Sequence, residues 1–443
     1  MTHDHARPNF LLLTVDSLRA DHVGTTNVKT PGYDALVADG VVYENAFSQG
    51  PFTTFSMPSL FTSRYPSGLG YLEFSESTIG TYIDEEPTLP QLLRDAGYRT
   101  AGFHSNPLLS NLFGFDRGFD EFDARLPLST TDRLSGRVKI AADKLLRLLR
   151  THAYLPAEPL TKRALSWVDE HDDDRPFFLW IHYMDVHGPY QAKSGNTYLN
   201  KYRGERLWRK AQKRPDELTR DEHARLHELY RTEIEYTDHY IDQLLGGLRR
   251  RGTLDDTVTV FTADHGELFG EQGSYSHPHM LYDELTHVPL VVSDPSGETG
   301  MVERVVELTD LLPTLVARAG GVVPDSVVGS PLPEPNSTSD DADAFAISEA
   351  DLTPEYNGSI RTPEYRYIRN DATSTEELYD IAADPEAHEN LVLDAPEIAR
   401  ELSDRLAEHL DHPERAVGAD RDVTRQRIDD AGVEDRLEDL GYL

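Results

Sequence analysis

Asn9-Phe-Leu-Leu-Leu-Thr-Val15, followed at once by Asp16, decides the fold. Seven residues without a charge, rich in leucine and ending in β-branched Thr14 and Val15, have the pattern of a strand buried on both faces. Strands of that kind occur in parallel sheets covered by helices. In such sheets ligands gather at the carboxyl ends of the strands, where Asp16 stands.

Working outward, the pattern recurs. Tyr98-Arg-Thr-Ala-Gly-Phe103 ends in His104-Ser105-Asn106. Pro176-Phe-Phe-Leu-Trp-Ile181 ends in His182-Tyr-Met-Asp185-Val-His187, and Thr257-Val-Thr-Val-Phe-Thr262 ends in Ala263-Asp264-His265-Gly266-Glu267. Between them lie helical patterns at Thr30–Gly40, Thr88–Gly97, Thr219–Arg251 and Thr309–Ala319. Alternating strands and helices predict an α/β domain with a mostly parallel sheet. A further buried strand is expected at Val288–Val292. A loop rich in proline and aspartate occupies 331–343, which puts a boundary near 335 between a catalytic domain (1–335) and a smaller α+β unit (336–443). Strand-like pieces at Ala344–Ile347, Arg366–Ile368 and Glu377–Asp380 and a helix at Pro396–Leu410 fill that unit. Residues 130–165 have a basic, helical pattern expected to be a solvated or interdomain helix. The charged tail from 412 and the N-terminal His3 and His5 are expected to fray.

Composition narrows the function. The formal net charge is −35, with eight lysines against thirty-five arginines. A nucleic acid would be repelled by such a chain. Acid excess with scarce lysine is the pattern of a surface adapted to high salt, where repulsion is screened. There is no cysteine, so thiolate ligands, thiol nucleophiles and disulfides are excluded. No apolar run of about 18 residues is present, and the first residues have no apolar segment, which predicts neither a membrane span nor a signal peptide and a cytoplasmic address.

Four strands therefore end in polar, metal-capable groups on one predicted edge. Gly50-Pro-Phe-Thr-Thr-Phe-Ser-Met-Pro-Ser-Leu-Phe-Thr-Ser-Arg-Tyr-Pro66 adds hydroxyls where a loop should enter a helix. Two carboxylates (Asp16, Asp264), one imidazole (His265) and a hydroxyl make an O/N donor set suited to Ca²⁺, Mg²⁺, Mn²⁺ or Zn²⁺. Such an ion lowers the pKa of a bound hydroxyl and neutralises an anionic substrate. Attack on sulfur or phosphorus would give a covalent ester, and an imidazole would protonate the leaving oxygen.

These stretches, together with Ser17–His22, His277–Pro289, Glu377–Asp380 and Asp384-Pro…Asn390-Leu, resemble the sulfatase family of the alkaline-phosphatase-like superfamily. The resemblance implies a large, mostly parallel sheet sandwiched by helices, a smaller C-terminal α+β subdomain, and hydrolysis of small anionic esters, on a glycan or lipid. It implies Asp16, Thr53, Asp264 and His265 as ligands of a single divalent ion, since the Asp-x-x-x-His spacing of two-metal relatives is missing at Asp185 and His187. It implies His187 as the substrate-side histidine and His277 at the transferred group. Asn106 corresponds to a polar substrate contact in relatives; Asp185 and His279 are further candidates. Ser17 stands where many sulfatases have a second aspartate. Glu267 and Asp310 are read as structural caps.

Two hydroxyls compete as nucleophile. Ser56-Met-Pro-Ser59 mimics the family's Cys/Ser-x-Pro-Ser-Arg signature but has Leu60 where the arginine belongs. Ser59-Leu-Phe-Thr-Ser-Arg-Tyr-Pro66 matches the segment that follows the signature at fixed distance, and counting back from it places the nucleophile at Thr53, with Met57 in the arginine's place. Threonine carries a Cβ methyl and cannot become the formylglycine of typical sulfatases. A metal-bound Thr53 would attack directly, which moves the expected substrate toward phosphate or phosphonate esters. Two other readings are a phosphotransferase or phosphodiesterase acting on a lipid or glycan head group, and a non-catalytic binder of anionic glycans.

Overall fold

The computed structural model describes residues 7–74, 77–83, 86–124, 154–171, 175–190, 197–335, 344–351 and 356–411. His3, His5, most of the basic stretch 130–165, loop residues 336–343 and the tail from 412 lie outside the described residues.

The large sheet contains β1 (Asn9–Val15), β2 (Val41–Phe47), β3 (Arg99–His104), β4 (Glu121–Ala124), β5 (Phe177–Tyr183), β6 (Thr257–Ala263), β7 (His287–Val288), β8 (Leu290–Ser293) and β9 (Gly300–Glu307). Its centre runs β6-β1-β5-β3-β4, all parallel. On the far side of β6 the direction reverses: β8 is antiparallel to both β6 and β2, and β9 runs parallel to β2 at the edge. Pro289, with no N–H to offer a ladder, separates β7 from β8. Phe10, Leu11, Leu12 and Leu13 are essentially inaccessible, as a strand covered on both faces requires. Each such side chain stabilises the fold by about 1.5–3 kcal/mol.

Helices flank the sheet in two groups. One comprises α1 (Pro31–Ala38), α4 (Ala157–Glu170) and the 31-residue α6 (Arg220–Arg250). The other comprises α2 (Thr53–Thr62), α3 (Leu89–Asp95) and α7 (Leu311–Arg318). Capping boxes start α3 and α6: Thr88 with Gln91, and Thr219 with Glu222. A further helix, α5 (Thr197–Lys213), had no counterpart in the sequence reading.

A second, antiparallel sheet follows: β10 (Ala346–Asp351), β11 (Asn357–Arg361), β12 (Tyr365–Asn370) and β13 (Thr375–Asp380), with α8 (Pro396–Asp411) packed on it. Tyr65, from just beyond α2, sits in the core between this sheet and α8. The Glu349 N–H donates to the Gln49 carbonyl at 3.0 Å, and the Ser348 hydroxyl to the Ser48 carbonyl at 2.5 Å. The second sheet thus braces the loop that leads into α2.

Candidate active site

Parallel register builds the site. Val15 of β1 pairs with Ala263 of β6, so the next residues, Asp16 and Asp264, leave neighbouring strands at one level. On the other side of β1, Thr14 pairs with His182 of β5. Asn106 follows β3, the next strand over. Loop 48–52 then delivers Thr53 as the first residue of α2, all ten residues of which are buried.

The contacts converge on the two carboxylates. The Thr53 hydroxyl lies 2.7 Å from Asp264 Oδ2 and 3.3 Å from Asp16 Oδ2. Asn106 Nδ2 donates to Asp16 Oδ2 at 3.1 Å, while its Oδ1 accepts from the Leu108 N–H. His182 Nε2 lies 3.3 Å from the same Asp16 oxygen. Its orientation is set from behind: the Trp180 indole donates to Thr14 Oγ1, which lies 2.9 Å from His182 Nδ1. Ser17 adopts a left-handed φ of 58°, from which its N–H reaches Asp264 Oδ1 at 3.1 Å and its hydroxyl reaches Asp16 Oδ1 at 2.9 Å. Non-glycine residues held in that region cost roughly 1 kcal/mol or more and cluster at functional sites.

Asp16, Asp264 and His265 can each offer one ligand atom, and these lie within 4.8 Å of one another. His265 Nδ1 lies 2.8 Å from the Gly266 carbonyl. A carbonyl only accepts, so Nδ1 carries a proton, and in the neutral ring Nε2 is the nitrogen with the lone pair. That buried Nε2 has no hydrogen-bond partner, yet stands 3.6 Å from Asp264 Oδ2 and 3.8 Å from Asp16 Oδ1. An orphaned imidazole nitrogen facing two buried carboxylate oxygens is the donor set of a divalent cation, with the ring orientation fixed by the bond on its other nitrogen. The electrostatics agree. Burial and the Asp16 charge push the Asp264 carboxyl up. Burial would also raise Asp16, but His187, His182 and His265 hold it well below the usual carboxylate range. Two like charges buried this closely are relieved by a cation.

Three imidazoles line one side. His277 lies 4.8 Å from the His265 ring and 5.1 Å from the His187 ring, centre to centre. His277 Nδ1 lies 3.5 Å from Glu267 Oε1. Burial alone would lower the His277 pKa, but the Glu267 carboxylate lifts it above the ordinary value. His187 moves the other way, chiefly because it is buried, and its Nδ1 lies 2.5 Å from the Gly188 carbonyl. His187 and the carboxylates are inaccessible, His277 keeps 10% side-chain exposure, and His279 is exposed with its ring 4.9 Å from that of Phe52. Solvent therefore reaches the cluster from the 277–279 side.

Not every candidate joins it. Ser56 is turned back into α2, its hydroxyl donating to the Phe52 carbonyl at 3.3 Å. Asp185 is fully buried, and its charge acts on Tyr154, Tyr183 and Tyr236. His104 packs its ring near Phe122 and Trp180, and burial takes its pKa down to about 3. Asp310 is the expected cap, accepting from the Glu307 and Ser330 N–H groups. Glu267 is not a cap: it is buried beside His277. The Thr14–His182 register, which no single strand encodes, puts His182 on Asp16.

Comparison with known proteins gives one consistent result. A model of the sulfatase family matches residues 8–322. The chain is 25% identical to an arylsulfatase of Clostridium perfringens over 446 residues, covering 87% of this chain and 90% of the relative. Among solved structures, a phosphonate monoester hydrolase of Silicibacter pomeroyi superposes with a TM-score of 0.71 at 20% identity, covering 91% of this chain and 95% of that one. A protein solved in complex with its substrate D-glucosamine-2-N,6-O-disulfate superposes with a TM-score of 0.70 at 18% identity, covering 94% and 100%. These two superpositions establish the shared fold.

Proposed function

The chain belongs to the sulfatase family, and on that premise we propose that it hydrolyses small anionic esters by attack of the Thr53 hydroxyl. The observation that carries this reading is the position of Thr53 Oγ1, within hydrogen-bond reach of Asp264 and Asp16 together, while Ser56 bonds its own helix. A divalent ion held by Asp16, Asp264 and His265, beside Thr53, would offset the two carboxylate charges and acidify the hydroxyl next to it.

The chain's own residues complete the cycle. Asp264 Oδ2 aligns Oγ1 and receives its proton. Oγ1 forms a bond to the sulfur or phosphorus of the ester as the bond to the leaving oxygen breaks. His277, its imidazolium favoured by Glu267, gives that oxygen its proton. His187, kept neutral by its burial, positions the anion, and His182 positions Asp16. In the second half, water attacks the same atom. His277 takes the water's proton, and Asp264 returns one to Thr53 as its ester bond breaks. The N-terminal end of α2 adds a favourable field for the anion. Because the Thr53 methyl prevents conversion to an aldehyde, this chemistry favours phosphate and phosphonate esters over sulfate esters.

The test is a comparison of Thr53→Ala with Ser56→Ala on p-nitrophenyl sulfate, phosphate and phenylphosphonate. Loss of a nucleophile is expected to lower kcat at least about a thousandfold. Ser56→Ala should stay within a few-fold of the parent. The reverse pattern, or turnover confined to the sulfate, would overturn the assignment.

A further inference from the structure

Between Asp185 and Asp216 the sequence has eight lysines and arginines and a single acid, Glu205. Four of the chain's eight lysines fall there, in a protein whose net charge is −35. Most of this stretch is helix α5. Arg203, Arg206, Arg209 and Lys213 are exposed, and none has an ion pair among the described residues. Lys210 pairs with Glu222 at 2.6 Å, and Arg214 reaches Glu217 at 3.5 Å. In a chain with 78 acidic residues, this concentration of exposed cations is a local reversal of the protein's charge, although Glu217 and Glu222 also line the groove beside them.

The geometry is that of a row. Residues 203, 206, 210 and 213 recur at i, i+3, i+7 and i+10, one face of a helix, over about 15 Å of axis. With Tyr202, which is 62% exposed, they line a groove of about 640 Å³. The helix is also tied to the catalytic cluster. Trp208 is 6% exposed and fills the space against Gly188, whose preceding residue is His187. The same helix packs on Tyr275–Ser276, which leads directly into His277.

We infer that α5 is a docking surface for an anionic polysaccharide, gripping the chain beyond the ester that reacts. The inference rests on the ester-hydrolase reading for its purpose. Guanidinium groups pair with sulfate or carboxylate in a two-point fork, and an exposed tyrosine offers an apolar face to a sugar ring. A single row one helix wide suits a thin chain, whereas a broad nucleic acid duplex would be repelled by the rest of a chain whose net charge is −35. Screening makes the arrangement workable: near 1 M salt the Debye length is about 3 Å, so the surrounding acids are muted while contact pairs persist.

The experiment uses the full chain and labelled chondroitin sulfate, alginate, neutral dextran and duplex DNA, with binding read by fluorescence polarisation across a salt series. The parent should bind both anionic glycans, more weakly as salt rises, and neither dextran nor DNA. Arg203→Glu/Arg206→Glu/Lys213→Glu should weaken glycan binding about tenfold or more, and Arg203→Ala/Arg206→Ala should weaken it in the same direction without charge reversal. Turnover of a p-nitrophenyl ester should be unchanged in both variants. Equal glycan binding by parent and variants, preference for DNA, or an equal loss of small-ester turnover would each overturn the docking surface. If the parent turns over no ester at all, the catalytic reading fails while the binding comparison still decides this one.

Discussion

His409 Nε2 lies 3.0 Å from Glu349 Oε1, and the pair joins helix α8 to strand β10. Glu349 is inaccessible and His409 is 4% exposed. The other oxygen of Glu349 accepts from the Ser67 N–H at 2.7 Å, five residues beyond α2, and Tyr356 donates to Oε1 at 3.1 Å. The His409 ring also meets Tyr65 edge-on at 4.5 Å. One buried carboxylate thus fastens β10, α8 and the exit of α2.

This pair gives a pH prediction. Burial would raise the Glu349 pKa, but the bonds from His409 and Ser67 hold it below its ordinary 4.5. A depressed carboxylate stabilises the fold above its unfolded pKa and loses that stabilisation as pH falls through the folded value. Thermal stability should therefore drop below about pH 4.5. In His409→Leu, which leaves the carboxylate buried without its partner, the melting transition at neutral pH should lose roughly 3–5 kcal/mol. An unchanged transition would show that the pair bears no stability.

Metal removal is the second prediction. With Asp16 and Asp264 buried side by side, chelation with EDTA should abolish ester turnover and lower the melting temperature together. Adding back a divalent ion should restore both, the stability gain following the ratio of free ion to its dissociation constant. His265→Ala should reduce bound metal, measured by elemental analysis, by about ten- to a hundredfold in affinity. Full activity in a metal-stripped sample would remove the ion from the reaction.

Gly266 is the third. A methyl group there would run into the Glu284 carbonyl, and its neighbours are His265 and Glu267. Gly266→Ala should cost about 1–3 kcal/mol through forced backbone movement. It should lower kcat/KM more than the stability loss explains, because the displaced residues are the proposed metal ligand His265 and Glu267, which stands beside His277. Equal kinetics in a stably folded Gly266→Ala would disprove the tight packing of this turn.

Salt is the fourth. A net charge of −35 repels itself at low ionic strength, and screening shortens the range of that repulsion. The melting temperature should climb with NaCl, each kcal/mol recovered raising it by about 1 °C in a chain this large. A flat or falling profile would refute adaptation of the surface to salt.

Much of the architecture was legible because burial writes itself into composition. Phe10–Leu13, Phe178–Ile181 and Val258–Phe261 are uncharged runs, and each became a central strand. Long helices showed through their periodicity and caps, as with Thr219 and Glu222 at the start of α6. Helix α5 did not, because its exposed face is basic and its core contacts reduce to a few residues such as Trp208 and Ala211. Strand Asn357–Arg361 was missed because Asn357, Gly358 and Ser359 lack strand propensity and form a strand through pairing on both sides.

The sequence by itself determined the chemistry available: Asp16, Asp264, His265 and a hydroxyl at strand ends, and no thiol anywhere. It determined the family as well, through motifs spread over most of the chain. Only the tertiary structure decided which groups meet. Strand register set Asp16 beside Asp264 and His182 on Asp16, and register is a relation between segments more than a hundred residues apart. The proposal of Thr53 rather than Ser56 as nucleophile rests on a relation of the same kind. Three residues along a helix is about 4.5 Å, enough for one hydroxyl to reach two carboxylates and for the other to bond only its own backbone.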